Sequence, residues 1–270
     1  MSRKIPVLLA LLSVSFGAHA ALKPGASTVL ITGANRGIGL ELAKQYAAKN
    51  WNVIATTRRP VDDAGVAELR ALAAKYPQVA LERIDVSDTA MIRGVAQKYK
   101  DQPIDVLINN AANVEATFQA DMDKVNITYD KMDWDGARKD FDVNTLGPMR
   151  MVQAFEPNVE RSKQKKIVNV TSFVGSFGRG FASEIGMNYG ASKAALNMYS
   201  YKLSFALKPK GIVVSLVEPV LVASKPGVES NPMARPVEEE VGKLVKVIEG
   251  LTMASAGKIT NWSTGQTDPF

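Results

Sequence analysis

Apolar positions fall into two kinds of segment that alternate along the chain. Val29-Leu-Ile31, Val106-Leu-Ile108, Ile167-Val-Asn-Val170 and Ile212-Val-Val-Ser-Leu-Val217 are short, nearly continuous apolar runs. Strands buried on both faces read this way, whereas a sheet with one wet face alternates. Between them the apolar positions return at helical spacing. The clearest case is Val237, Val241, Leu244, Val245, Ile248 and Leu251, which form one stripe on a helix. The pattern predicts strands over 28–32, 52–57, 79–84, 104–109, 165–171, 211–217 and 257–262, and helices over 38–50, 62–75, 88–100, 134–162, 189–208 and 237–251. Strand and helix in strict alternation imply an α/β fold, a doubly wound, mostly parallel seven-stranded sheet with helices on both faces. No linker or internal repeat interrupts it, so residues 21–270 read as one domain.

The first twenty residues do not fit that rhythm. Arg3 and Lys4 precede an apolar run from Val7 to Phe16, and Ala18-His-Ala20 has the small-x-small form of a cleavage site. This reads as a secretory signal over 1–20, too short for a comfortable membrane span. The mature chain then has no stable span and is periplasmic or secreted; an unused signal leaves it cytoplasmic. The sequence has no Cys and its one His, His19, lies in that segment. Ser-His and Cys-His nucleophiles, thiol redox chemistry and the common zinc sites are therefore excluded, and no metal site is expected. The acidic stretch 113–135, with Asp121, Asp123, Asp130, Asp133 and Asp135, has no metal-ligand order and reads as a solvated loop. The net charge is +6, and removing Arg3 and Lys4 leaves 31 Lys and Arg against 27 Asp and Glu, or +4. That modest, dispersed charge suits an anionic cofactor but makes no nucleic-acid patch.

Thr28-Val-Leu-Ile-Thr-Gly-Ala-Asn-Arg-Gly-Ile-Gly39 is the stretch around which the rest is organised. A strand runs into glycines 33, 37 and 39 and then into a helix with Ile38, Leu42 and Tyr46 on one face. A turn of this kind aims backbone N–H groups and the positive end of a helix at one point, where a diphosphate sits well. Gly33 permits the turn, Gly37 lets the chain approach a ligand, and Gly39 lets helix and strand pack closely. Strand two ends at Thr57, where NAD-binding folds usually place an acid for the ribose 2′-hydroxyl. With no carboxylate there, Arg58 and Arg36 can hold a 2′-phosphate, and NADP(H) is expected ahead of NAD(H).

The candidate chemistry lies further on. Lys166-Ile-Val-Asn-Val-Thr-Ser172 is a strand ending in a hydroxyl, and Tyr189-Gly-Ala-Ser-Lys193 puts a phenol and an amine on one helix face. An ammonium beside a phenol favours phenolate, so Lys193 is expected to lower the Tyr189 pKa from ~10. A tyrosine so tuned exchanges a proton with a substrate oxygen, and Ser172 can hydrogen-bond the same oxygen.

Thr32-Gly-Ala-Asn-Arg-Gly-Ile-Gly39, Asn109-Asn-Ala-Ala112, Phe141-Asp-Val-Asn144, Ser172 and Tyr189/Lys193, in that order, resemble the pattern of short-chain dehydrogenases/reductases across the mature chain. The glycine run, Thr56-Thr-Arg58 and Lys258-Ile-Thr-Asn-Trp262 followed by Gly265 are most similar to the carbonyl-reductase/C-factor-like branch. The resemblance implies a Rossmann-type domain and a hydride-transferring oxidoreductase that interconverts carbonyl and alcohol. It implies Tyr189 as general acid/base, Lys193 lowering its pKa and touching the nicotinamide ribose, Ser172 positioning the carbonyl, and Asn144 supporting a proton relay through water. For the cofactor it implies Gly33, Asn35, Arg36, Gly37, Ile38, Gly39, Arg58, Asp85 and Val86 at the adenine end, with Asn110 and Ala111 beside it. Tyr189, Lys193, Pro219, Val222 and Ser224 fall at the nicotinamide end. Asp85 is equally a turn residue, and Asp88 is a good N-cap.

Two departures qualify the match. Ala112 and Val220 stand where the family commonly has Gly, and Val220 is β-branched where the backbone needs freedom. Phe173, Phe177, Phe181, Met187 and Leu221 line an apolar substrate pocket or pack into core and loops. The substrate is a small carbonyl or alcohol of unspecified identity. A homodimer through helices 134–162 and 189–208 is the pairing seen in many members. The alternative is a non-catalytic dinucleotide-binding or interaction protein on the same scaffold, favoured by Val220 and by the conflict between export and cofactor supply.

Overall fold

The computed structural model describes residues 22–113, 129–179, 186–224, 228 and 231–270. The segment 1–20 read as a secretory signal, Phe181, Asp121 and Asp123 lie outside the described residues. Among the described residues no helix is long and apolar enough to cross a membrane.

The strands are β1 (Thr28–Ile31), β2 (Asn52–Thr57), β3 (Val79–Arg83), β4 (Val106–Asn109), β5 (Lys166–Val170), β6 (Val213–Glu218), β7 (Ile259–Asn261) and β8 (Thr267–Asp268). They form one sheet in the order β3-β2-β1-β4-β5-β6-β7-β8, parallel up to β7. The expected sheet of seven strands is thus corrected to eight among the described residues. After Asn261 the chain turns back through Gly265 (φ +73°), and Thr267–Asp268 pair antiparallel with β7. Two residues, one of them charged, give no apolar run, so the pattern carries no sign of this strand.

The helices are α1 (Gly37–Ala48), α2 (Ala67–Lys75), α3 (Thr89–Lys98), α4 (Trp134–Phe141), α5 (Gly147–Glu160), α6 (Met187–Leu207) and α7 (Val237–Gly250). Both sheet faces are dry. Val29, Ile31, Val53, Ala55, Val106 and Ile108 face Leu42 and Tyr46 of α1 and Val241, Leu244 and Ile248 of α7. Leu30, Ile54, Leu107, Ile167 and Val214 face Ile92 of α3 and Met151, Val152, Phe155 and Val159 of α5. Neighbouring residues of one strand therefore belong to opposite cores, which is why the strand sequences are continuously apolar. Asp88 caps α3, its Oδ1 accepting from the Met91 amide at 2.9 Å.

The predicted helix 134–162 is not continuous. Between α4 and α5, Asp142–Leu146 form a π-helical turn. Asn144 lies in it, fully buried. Single π turns inside helices concentrate at functional sites, and hydrophobic periodicity alone does not reveal them.

Candidate active site

The carboxyl ends of the central strands open onto one cleft, the position expected for a ligand at the switch point of a parallel sheet. Its outer end is the β1–α1 turn. Gly33 has φ +67°, and a Cβ there would lie 3.0 Å from Ala111 Cα. A Cβ on Gly39 would lie 2.3 Å from the Gly33 carbonyl oxygen, so the close packing assigned to this glycine is physical. Asn110 locks the turn to β4, donating from Nδ2 to the carbonyls of Thr32 (2.9 Å) and Gly33 (3.2 Å). The Thr32 hydroxyl accepts from the amides of Asn110 and Ala111, both at 3.0 Å. Arg36 stands at the N-cap of α1 in extended conformation, without a side-chain cap bond among the described residues. The first turn of that helix faces the cleft, a cradle for an anionic group.

Arg58 and Asp85 also line the cleft. Thr57 does not: it is buried, and its hydroxyl accepts from the Arg59 amide at 3.2 Å. Arg59 turns away to Asp63. Burial opposes ionisation of Asp85, but the Ser87 hydroxyl and amide donate to it. With Arg58 and Arg83 nearby, its carboxyl sits below the ordinary range.

The inner end is built by buried polar ties between β4, β5 and α6. Asn109 Nδ2 donates to Asn169 Oδ1 (2.8 Å), and Asn169 Nδ2 donates to Ser200 Oγ (2.8 Å). Thr171 Oγ1 donates to Asn197 Oδ1 (2.5 Å), and Asn197 Nδ2 donates to the Gly175 carbonyl (3.1 Å). Gly175 and Gly190 let the turn after Ser172 lie directly on α6; a Cβ on Gly175 would meet Lys193 Cβ at 2.7 Å. The result brings Ser172, Tyr189 and Lys193 together. Ser172 and Tyr189 share a hydrogen bond. Lys193 Nζ lies 5.7 Å from the Tyr189 ring centre and donates to the Val170 carbonyl at 2.8 Å.

Every cofactor residue expected from sequence lines this cleft, as do Ser172, Tyr189 and Lys193. Asn144 does not line it and is instead held behind it. Asn144 Nδ2 donates to the Asn113 carbonyl and to Ser192 Oγ, each at 3.0 Å, and Asn144 Oδ1 accepts from the Asn113 amide at 2.7 Å. Of the apolar candidates, Phe173 and Leu221 line the cleft, while Phe177 and Met187 are exposed, Phe177 at 91%. Val220 lines it too, and its backbone is outside the left-handed region, which only Asn50 and Lys165 adopt among the described non-glycine residues. A β-branched residue therefore fits there without strain.

The expected depression of the Tyr189 pKa is not what the structure gives. Burial pushes the Tyr189 hydroxyl up to about 12; the Ser172 bond pulls it down and the charge of Asp140 pushes it further up. Burial likewise pushes the Lys193 ammonium down to about 8, against the pull of Asp140. Both groups are dry, so each is driven toward its neutral form. Sequence reasoning missed Asn113, Ser192 and Asp140; the signal for Asn113 was its place directly after Asn109–Ala112.

The family model for short chain dehydrogenase matches residues 27–234. An uncharacterised oxidoreductase of Schizosaccharomyces pombe is 30% identical over 258 residues, covering 89% of this chain and 96% of that one. Galactitol 2-dehydrogenase of Agrobacterium fabrum is 33% identical over 198 residues, covering 72% and 69% respectively. Among solved structures, NADPH-bound carbonyl reductase from chicken fatty liver superposes with a TM-score of 0.80 at 28% identity, covering 91% of this chain and 99% of that one. The span matched by the family model takes in both ends of the cleft, and the chain accordingly belongs to the short-chain dehydrogenase family, of the carbonyl-reductase-like kind.

Proposed function

We propose that the protein is an NADP(H)-dependent oxidoreductase that interconverts a carbonyl and an alcohol, with Tyr189 as general acid/base. The observation that carries the reading is the meeting of Ser172, Tyr189 and Lys193 at one end of a cleft whose other end is the Gly33–Gly39 turn. The residues fit a dinucleotide. The crowded glycines leave the turn's backbone open to a diphosphate, and Arg36 and Arg58 supply guanidinium groups for a 2′-phosphate. When bound, the cofactor supplies or accepts the hydride.

This chain's residues handle the proton. In reduction the Tyr189 hydroxyl donates to the substrate oxygen, and in oxidation it takes the proton back. Its high pKa in the dry pocket keeps it a phenol at neutral pH, the form needed for reduction. Ser172 shares the hydrogen bond that orients the phenol and offers its hydroxyl to the same substrate oxygen. Lys193, fixed on the Val170 carbonyl, stands beside the ring as the ammonium that balances charge on the oxygen at neutral pH. Asn144 anchors the strand-end loop at Asn113 and the helix at Ser192. Met198 and Phe205, each 59% exposed on α6, support pairing of two copies through that helix.

The test is NADPH consumption over a panel of aldehydes, ketones and quinones, with Tyr189→Phe as control. Wild type turns over at least one class, and Tyr189→Phe loses roughly 10²–10⁴-fold. No turnover of any carbonyl, or full activity in Tyr189→Phe, overturns the mechanism. Binding titrations should favour NADPH over NADH, and equal affinity would remove the role given to Arg58.

A further inference from the structure

A buried carboxylate sits behind the proton-transfer groups without belonging to them. Asp140, in the last turn of α4, is 3% exposed. Its Oδ1 accepts from Asn113 Nδ2 at 2.6 Å. The backbone of that same asparagine closes a two-bond ring with the Asn144 amide, N–H to Oδ1 at 2.7 Å and carbonyl to Nδ2 at 3.0 Å. Asn144 Nδ2 passes to Ser192 Oγ at 3.0 Å, and Ser192 Oγ donates to the Tyr189 carbonyl at 2.7 Å. A buried chain of hydrogen bonds thus runs from a carboxylate to the backbone of the phenol-bearing residue. Asn144 makes these bonds from within the π turn.

We propose that Asp140 is a positioning residue of the proton-transfer site: through Asn113 it seats the Asn144 amide, and its carboxylate is the fixed negative charge at the far end of the hydrogen-bond chain that reaches Tyr189. The proposal rests on the Tyr189 reading above. It goes beyond the family pattern, whose residues end at Asn144, Ser172, Tyr189 and Lys193. Its consequence is directional. A negative charge near both groups favours phenol over phenolate and ammonium over amine. Asp140 therefore biases the pair toward its proton-bearing forms, the state that reduction consumes.

Other charges do not supply this bias. Lys139 and Asp133, from the same helix and its cap, act on Asp140 with opposite signs. Asp135 is paired with Arg138, and Asp142 with Arg150. From α6, Tyr189 and Lys193 are the titratable groups that Asp140 couples to. Burial pushes the Asp140 carboxyl up, while the bond from Asn113 and the charges of Lys139 and Lys193 hold it down.

Asp140→Asn keeps an oxygen acceptor for Asn113 and removes the charge. The alkaline limb of the pH–rate profile for carbonyl reduction should move to lower pH by roughly one unit. The sign is the same whether Tyr189 or Lys193 sets the limb, since Asp140 raises both. Tyrosinate absorbance of the cofactor-free protein, taken as the difference from a Tyr189→Phe background, should shift in the same direction. Asp140→Glu keeps the charge and should keep the wild-type limb even where turnover falls. Asp140→Ser, neutral and smaller, should repeat the downward shift where Asp140→Asn folds poorly. An unmoved limb and titration in the neutral variants, or an equal shift in Asp140→Glu, overturns the proposal. Full activity in Tyr189→Phe would instead overturn the underlying reading, so the two failures are distinguishable.

Discussion

Glu218 offers a prediction that runs against the usual expectation for an ion pair. It ends β6, is 1% exposed, and its Oε1 lies 3.3 Å from Arg179 Nη2. Arg179 also reaches Asp268 at 3.2 Å. One guanidinium thus serves two carboxylates, and Glu218 Oε2 and Asp268 Oδ2 are buried without a hydrogen-bond partner among the described residues. Burial pushes the Glu218 carboxyl up to about 7; Arg179 pulls it down and Asp268 pushes it up. A carboxyl raised in the fold contributes stability that is fully present below its unfolded value, near 4.5, and is lost as pH rises through 7. The rise from near 4.5 to about 7, at 1.36 kcal/mol per pH unit, bounds the loss at ~3 kcal/mol. Arg179 is 38% exposed in its side chain, and the solvent it admits screens the site, so about 1–3 kcal/mol is the working range. Glu218→Gln cannot ionise. At about pH 8 it should be more stable than wild type by that amount, or by roughly 2–10 °C in melting temperature for a domain of this size. At about pH 4, below the unfolded value, the two should melt together. Parallel melting curves of both proteins across this range give the answer by subtraction, because the groups away from Glu218 and its partners Arg179 and Asp268 titrate alike in both. A flat difference, or a less stable Glu218→Gln at pH 8, would show that the Arg179 pair outweighs its desolvation and would refute the reasoning.

Gly39→Ala places a methyl 2.3 Å from the Gly33 oxygen and 2.6 Å from Asn110 Nδ2. Backbone must move, at a cost of about 1–3 kcal/mol in the denaturation midpoint, and NADPH affinity should fall at least about tenfold with the turn displaced; wild-type affinity would refute the close-packing role. For the segment 1–20 read as a secretory signal, the intact mass of protein purified from its native source should begin at Ala21. A mass that includes Arg3 and Lys4 would remove the export reading and with it the conflict over cofactor supply.

What the chain made legible was whatever rests on local rules. A strand dry on both sides must be apolar at every position, so β1, β4, β5 and β6 announced themselves. The doubly wound order followed from alternation with helices. The glycine turn was legible because positive φ and close approach exclude other residues, and Gly33, Gly37 and Gly39 meet a wall within 3.1 Å of any added Cβ. What was not legible depends on contacts between distant parts. β8 exists because Thr267–Asp268 find an edge on β7. The break in helix 134–162 coincides with the buried Asn144 amide, whose hydrogen-bonding capacity is met on Asn113 and Ser192, residues 31 and 48 positions away.

The same distinction explains why the sign of the Tyr189 shift could not be read from Tyr-x-x-x-Lys. Helical spacing places an amine beside a phenol, and in water that proximity would favour phenolate. It says nothing about how dry the pair is. Here Tyr189 and Lys193 are 7% and 2% exposed, and the amine spends a hydrogen bond on the Val170 carbonyl. Burial then acts on both partners at once, raising the acid and lowering the base, and it is the largest influence on each. The remaining handle is a charge outside the motif, and Asp140 raises both groups together. A motif can thus specify which atoms meet, but the proton's resting place is set by the surrounding core, and in this chain that core holds a carboxylate four residues before Asn144.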